Sequence, residues 1–132
     1  MTVLDSSRAL LTERQEALSE SKGGSMDTEV AAKIAKLNDA ARRNVLNYMT
    51  SAGVISLPPE VVGDIYTRVY NYKNFVENEN DPYGEHDFGS FKIHGHKIFW
   101  KIDYYDQQLK YGVDPLDPNC RRVVTVMLAE EY

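Results

Sequence analysis

The run Gly84-Glu85-His86-Asp87-Phe88-Gly89 sets an imidazole between two carboxylates, and Asp103 and Asp106 bracket a tyrosine pair farther along the chain. If Glu85, His86 and Asp87 meet Asp103 and Asp106, they offer oxygen and nitrogen ligands to a divalent cation, the equipment of a metal-dependent hydrolase. His86, Asp87 and Asp103 would carry that chemistry. Neighbouring residues of a regular strand point to opposite faces, so His86 and Asp87 serve one ion only from a loop. The competing reading is architectural. Glu85 and Asp87 then cap a turn or pair with Lys97 or Lys101, and His86 donates a hydrogen bond inside a packed corner.

Other reactive groups are fewer. His94 and His96 flank Gly95, but two imidazoles fall short of the three or four protein ligands a zinc site needs. Cys120 is the single cysteine, which excludes an internal disulfide and fits a reducing compartment. Arg121 and Arg122 beside it favour a thiolate, yet no histidine partner is in view. No Gly-x-Ser-x-Gly turn and no phosphate-binding glycine loop occurs, so neither acyl transfer nor nucleotide hydrolysis by a familiar route is expected, and no cofactor is implied.

Charge suggests binding instead. Of the 132 residues, 1–73 carry nine acids and nine bases, whereas 74–132 carry eleven acids and six bases, so the net charge of −5 lies wholly in the second part. Five carboxylates fall between Glu77 and Asp87 without a lysine or arginine among them. Such a segment repels phosphate backbones, which argues against direct nucleic-acid binding. Five of the nine tyrosines share the acidic part. Tyrosine buries area while keeping a polar tip, so this mixture suits the surface of a basic protein partner. The residues expected to touch that partner are Glu77, Glu79, Asp81, Tyr83, Glu85, Tyr105 and Asp106. Tyr104 and Tyr105 have a second reading, as residues lining the two faces of a sheet.

The elements that position these residues follow from periodicity. Residues 4–21 read as an amphipathic helix with Leu4, Leu11 and Leu18 in register, and Gly23-Gly24 makes a hinge, so 1–25 form an appendage to a body at 26–132. That leucine stripe either pairs with a second copy, giving a homo-oligomer, or folds back on the body. A helix capped by Asp27 or Thr28 follows, with apolar positions Val30, Ile34, Leu37, Ala41, Val45, Leu46 and Met49 up to Gly53 and a basic stripe of Lys33, Lys36, Arg42 and Arg43. Pro58-Pro59 starts a third helix, spanning roughly 60–77, on Val62, Ile65, Val69, Tyr72 and Val76. Alternation then replaces the helical period. Phe91 to Tyr104 form a β-hairpin turning at Gly95, 106–111 make one helical turn, and 122–128 are a buried strand. Helices followed by strands define an α+β fold: two or three N-terminal helices on one face of a small, about three-stranded, antiparallel sheet. Hydrophobic residues at 42% and charged residues at 27% fit one globular unit of 15.0 kDa rather than a disordered or disulfide-stapled chain. No apolar run of membrane-spanning length exists, so no membrane is expected and the location expected is cytoplasmic.

The words Asn80-Asp81-Pro82-Tyr83-Gly84-Glu85-His86-Asp87-Phe88-Gly89, Phe99-Trp100-Lys101-Ile102-Asp103-Tyr104-Tyr105-Asp106 and Met127-Leu128-Ala129-Glu130-Glu131-Tyr132, in this order and spacing, resemble a bacterial family of unknown function, domain-of-unknown-function family 3768. Leu37-Asn38-Asp39-Ala40 before Arg42-Arg43, and Gly53-Val54 before Leu57-Pro58, extend the resemblance over roughly 28–132. It implies bacterial origin and carriage on plasmids, prophages or other mobile elements. It carries no activity, ligand or catalytic residue. Together these features favour a mobile-element interaction or inhibitor protein that occupies a basic surface on a nucleic-acid-handling or defence complex, of restriction or CRISPR type. The alternatives are the metal-dependent hydrolase and a purely architectural role for the motifs.

Overall fold

The computed structural model describes residues 25–76 and 79–132, so the leucine stripe at 4–18, the glycine hinge and Glu77 lie outside the described residues. Helix α1, Ser25–Arg42, turns Ala31, Ile34, Ala35, Asn38, Ala41 and Arg42 inward at helical spacing. Asp27 lies within it rather than capping it. The periodicity predicts a helix running on to Gly53, but α1 ends at Arg42. Asn44 is extended, and its side chain accepts from the Leu46 amide at 3.1 Å, which nucleates a 3₁₀ turn at Val45–Asn47. Strand β1, Tyr48–Thr50, follows and pairs in parallel with the last strand. The apolar residues that extended the helical pattern, Val45, Leu46 and Met49, are exposed.

Ser51 caps the short helix α2, Ala52–Ile55, by accepting from the Val54 amide. Helix α3, Pro59–Tyr70, begins on proline as expected and buries Ile65 and Val69. It stops seven residues before the expected end. The Asn71 amide closes on Thr67 and Val69, after which the chain leaves the helix and Phe75 is free to turn toward the site described below.

The hairpin is as the alternation predicts: β2, Phe88–Ile93, and β3, His96–Tyr105, pair antiparallel around a two-residue turn. His94 and Gly95 both have positive φ, +50° and +80°, which matches the twist such a turn must have. Strand β4, Arg121–Leu128, pairs antiparallel with β3. The segment at 106–111 forms turns, not a helical turn, and folds back so that the Val113 amide meets the Tyr104 carbonyl. The sheet is therefore four-stranded and mixed, in the order β1-β4-β3-β2, rather than about three-stranded and antiparallel. The difference is β1, whose three residues are too short for their alternation to be told from helical spacing.

Trp100, Ile98, Ile102 and Tyr104 of β3 and Val124 and Val126 of β4 share one face and form the core with Ile34, Ala41, Val54, Ile65 and Val69. The helices thus lie on one face, as expected for this α+β arrangement. Gly89 pairs with Trp100, and a Cβ there would stand 2.5 Å from Trp100 Nε1 and 2.6 Å from the Tyr72 ring. The connections before β2 and between β3 and β4 leave the same end of the sheet. No helix among the described residues is long and apolar enough to cross a membrane.

Candidate functional site

The polar centre of the molecule lies at that end and is built by α1. Asn38 and Arg42 are one helical turn apart, so both point inward, with Asp39 beside them at the rim. Asn38 is fully buried. Its amide donates to the Glu85 carbonyl and to the Tyr104 hydroxyl, each at 2.9 Å, and its carbonyl accepts from Arg122 Nε at 2.7 Å. Three elements are joined by one side chain. Arg122 also lies over the Tyr104 ring and donates to the Pro115 carbonyl, which ties in the β3–β4 connection.

Arg42 is 1% exposed. Its guanidinium donates twice to Asp39 Oδ1, at 3.1 and 2.9 Å, and to the Tyr72 carbonyl, and it lies against the rings of Trp100 and Phe75. Burial pushes its pKa down while Asp39 pulls it up. Its Nε and the indole Nε1 of Trp100 have no hydrogen-bond partner among the described residues.

Asp39 also holds His86, with Nδ1 3.0 and 3.2 Å from the two carboxylate oxygens. The His86 ring stacks on Phe75 at 3.9 Å with the planes 1° apart, and the His86 amide donates to Asp81 at 3.0 Å. This clamp holds His86 in the left-handed region at φ +55°, a conformation uncommon for a residue with a Cβ. The bend it makes lets Asp87 enter the sheet, where its carbonyl accepts from the Ile102 amide. The Asp87 carboxyl is pushed up to about 7, first by burial and then by the charges of Glu85, Asp81 and Asp103. Burial, with Asp87 next to it, also raises the Tyr104 hydroxyl well above its ordinary value.

The hydrolase residues are not brought together. His86 faces Asp39, whereas Asp103 is on the other face of β3, ion-paired with Lys101 at 2.7 Å. Among the described residues no group of three His, Cys, Asp or Glu side chains is arranged to hold a metal ion. His94 is tied to Asp64 at 2.8 Å in the hairpin turn, away from His86. Burial raises the Cys120 thiol despite Arg122, so the effect expected of the neighbouring arginines is outweighed.

The expected partner-binding residues divide. Asp81, Glu85 and Tyr105 are buried and cannot form an outer surface, while Glu79 is exposed and Tyr83 and Asp106 are partly so. The same end of the sheet adds Asp114 and Asp117 from the β3–β4 connection. Sequence reasoning missed Asn38, Asp39, Arg42, Phe75 and Arg122 as members of the polar centre. One signal was present, an asparagine on the inward stripe four residues after Ile34.

The third motif is a clasp at the opposite end of the sheet. Glu131 accepts from the Ser51 hydroxyl, the Gly53 amide and the Leu128 amide, and Tyr132 packs edge-on to Phe88 and Phe99.

This is an α+β domain in which the first two motifs, with Asn38, Asp39 and Arg42 of α1, build a largely buried polar centre and the third closes a clasp at the other end of the sheet. Residues 49–131 match the family described as Protein of unknown function (DUF3768), and the chain belongs to it. The match starts at Met49, so Asn38, Asp39 and Arg42 precede the matched stretch. No curated protein and no solved structure matches the chain.

Proposed function

We propose that the protein is a non-catalytic interaction protein, an inhibitor by occupancy, that sets the acidic end of its sheet against a basic surface of a protein partner. The supporting observation is how the acids are distributed. Asp81 and Glu85 are buried, Asp87 is turned inward and Asp39 and Asp103 are paired within the fold, while Glu79, Asp106 and Asp117 remain for a partner, with Asp114 beside them, on connections that leave one end of the sheet. Asp106, Asp114 and Asp117 each accept a nearby backbone amide at 2.8 Å, which fixes where they sit. Fixed charges of one sign steer encounter with an oppositely charged face and reject like-charged partners. Proteins that handle nucleic acid carry such basic faces to meet phosphate, and the mobile-element carriage implied by the family resemblance points to a host defence complex as the class of partner.

The test uses the untagged chain and a variant with Glu79→Gln, Asp106→Asn, Asp114→Asn and Asp117→Asn, each of which keeps an acceptor oxygen. A partner co-purifying from host extract is expected to leave at high salt and to bind the variant at least about tenfold more weakly at low salt. Equal retention of both proteins contradicts the proposal.

A further inference from the structure

A second surface of opposite sign lies along the outer edge of β2, which no other strand among the described residues covers. The Ile102 amide bonds the Asp87 carbonyl, and this register makes Gly89, Phe91 and Ile93 the residues bonded to β3. The N–H and C=O of Ser90 and Lys92 therefore point away from the sheet. At Ser90 the Tyr72 hydroxyl takes the place of a neighbouring strand, 3.4 Å from both the amide and the carbonyl. Lys92 has no such substitute among the described residues.

Beside this edge is a cavity of about 360 Å³, walled by Arg68, Lys73, Asn71 and Asn74 over the rings of Tyr72 and Phe91. No carboxylate among the described residues lines it. Arg68 lies over Phe91 at 4.9 Å, which holds the guanidinium in place with its donors available. Neither Arg68 nor Lys73 has a carboxylate partner among the described residues, and the nearby Asp64 is taken up by His94.

We infer that this groove takes an acidic peptide segment in extended form, added to the edge of β2, with its main chain bonded to Lys92 and its carboxylates on Arg68 and Lys73. Two independent features specify it. The open backbone of Lys92 needs a donor and an acceptor at strand spacing, which a peptide supplies and a phosphate backbone does not. The cationic, amide-rich wall selects carboxylates from among peptides. Asn80, next to Glu79, bonds the Tyr72 hydroxyl and the Asn74 carbonyl at the groove, but the described lining shares no residue with the acidic set and is of opposite charge, so the groove stands whether or not those acids bind a basic partner.

The probe is a blocked heptapeptide alternating threonine and glutamate, titrated into the ¹⁵N-labelled chain. Saturable shifts are expected at the Ser90, Phe91 and Lys92 amides, with hydrogen exchange at Lys92 slowed at least about tenfold in the complex. Arg68→Gln with Lys73→Gln, both at exposed positions, is expected to weaken binding at least about fivefold. Lys92→Pro is expected to abolish it, since an edge strand tolerates proline where the amide points outward. Melting curves of both variants confirm folding. The inference is overturned by the absence of saturable shifts, by equal binding of a lysine–threonine peptide, or by glutarate alone reproducing both the shifts and the protection at Lys92.

Discussion

Asp87 holds its charge unwillingly. Its carboxyl titrates near 7 in the folded chain against an ordinary 3.8, so between those values the folded state holds a proton the unfolded chain has released. The stabilisation is complete below about pH 4 and is lost as the pH rises through about 7. Asp87→Asn is therefore expected to raise unfolding stability by roughly 2–4 kcal/mol at pH 8 and to change little near pH 4, read from urea melts at both. An equal effect at both pH values would mean that charge is not the cause. Arg42 behaves in the opposite way. Its removal leaves Asp39 without its closest cation and opens space against Trp100 and Phe75, so Arg42→Ala is expected to cost about 3–5 kcal/mol by the same measurement. Asp39→Asn leaves the buried Arg42 guanidinium without its carboxylate while keeping an acceptor oxygen, and is expected to cost about 2–4 kcal/mol. His86 and Asp87 stood out in the sequence because acid and imidazole are rare neighbours. Arg42 did not, because a helical arginine beside Arg43 reads as solvent-facing until Phe75 and Trp100, some 30 and 60 positions away, are seen to cover it.

The elements differ in how much of their form is local. The hairpin and β4 follow from alternation together with a glycine turn, and α3 starts where its prolines are. The ends of α1 and α3 depend on partners distant in sequence. Tyr48 and Thr50 become strand because Val124 and Val126 offer a ladder, and Phe75 leaves α3 for the His86 ring. No window of sequence contains both members of those pairs. Close approach between elements is testable at two glycines. Gly89→Ala puts a Cβ into the Trp100 indole and the Tyr72 ring, neither of which can retreat from the core, and is expected to cost about 1–3 kcal/mol. Gly53→Ala meets the Glu131 carboxylate at 2.7 Å, the end of an exposed side chain that can swing outward at the cost of the clasp's hydrogen bonds. It is expected to cost clearly less, and thermal melts of the two variants side by side make the comparison. A greater loss at Gly53 would make the C-terminal clasp, not the indole, the tighter constraint.

For the whole molecule, an excess of acid visible in composition becomes two separate things. Part is enclosed in a polar centre that joins α1, the segment before β2 and the β3–β4 connection. Part is displayed at one end of the sheet. Composition locates the excess but not this division, because Glu85 and Glu79 are alike in type and differ only in what the fold places over them. The most direct measurement of the proposed function is hydrogen–deuterium exchange on the chain alone and in complex with a co-purified partner. Protection concentrated at residues 79–87 and 106–119, weakening as salt is raised, is the predicted footprint. Protection confined to other surfaces, or a footprint indifferent to salt, would contradict the assignment of the acidic end as the binding face.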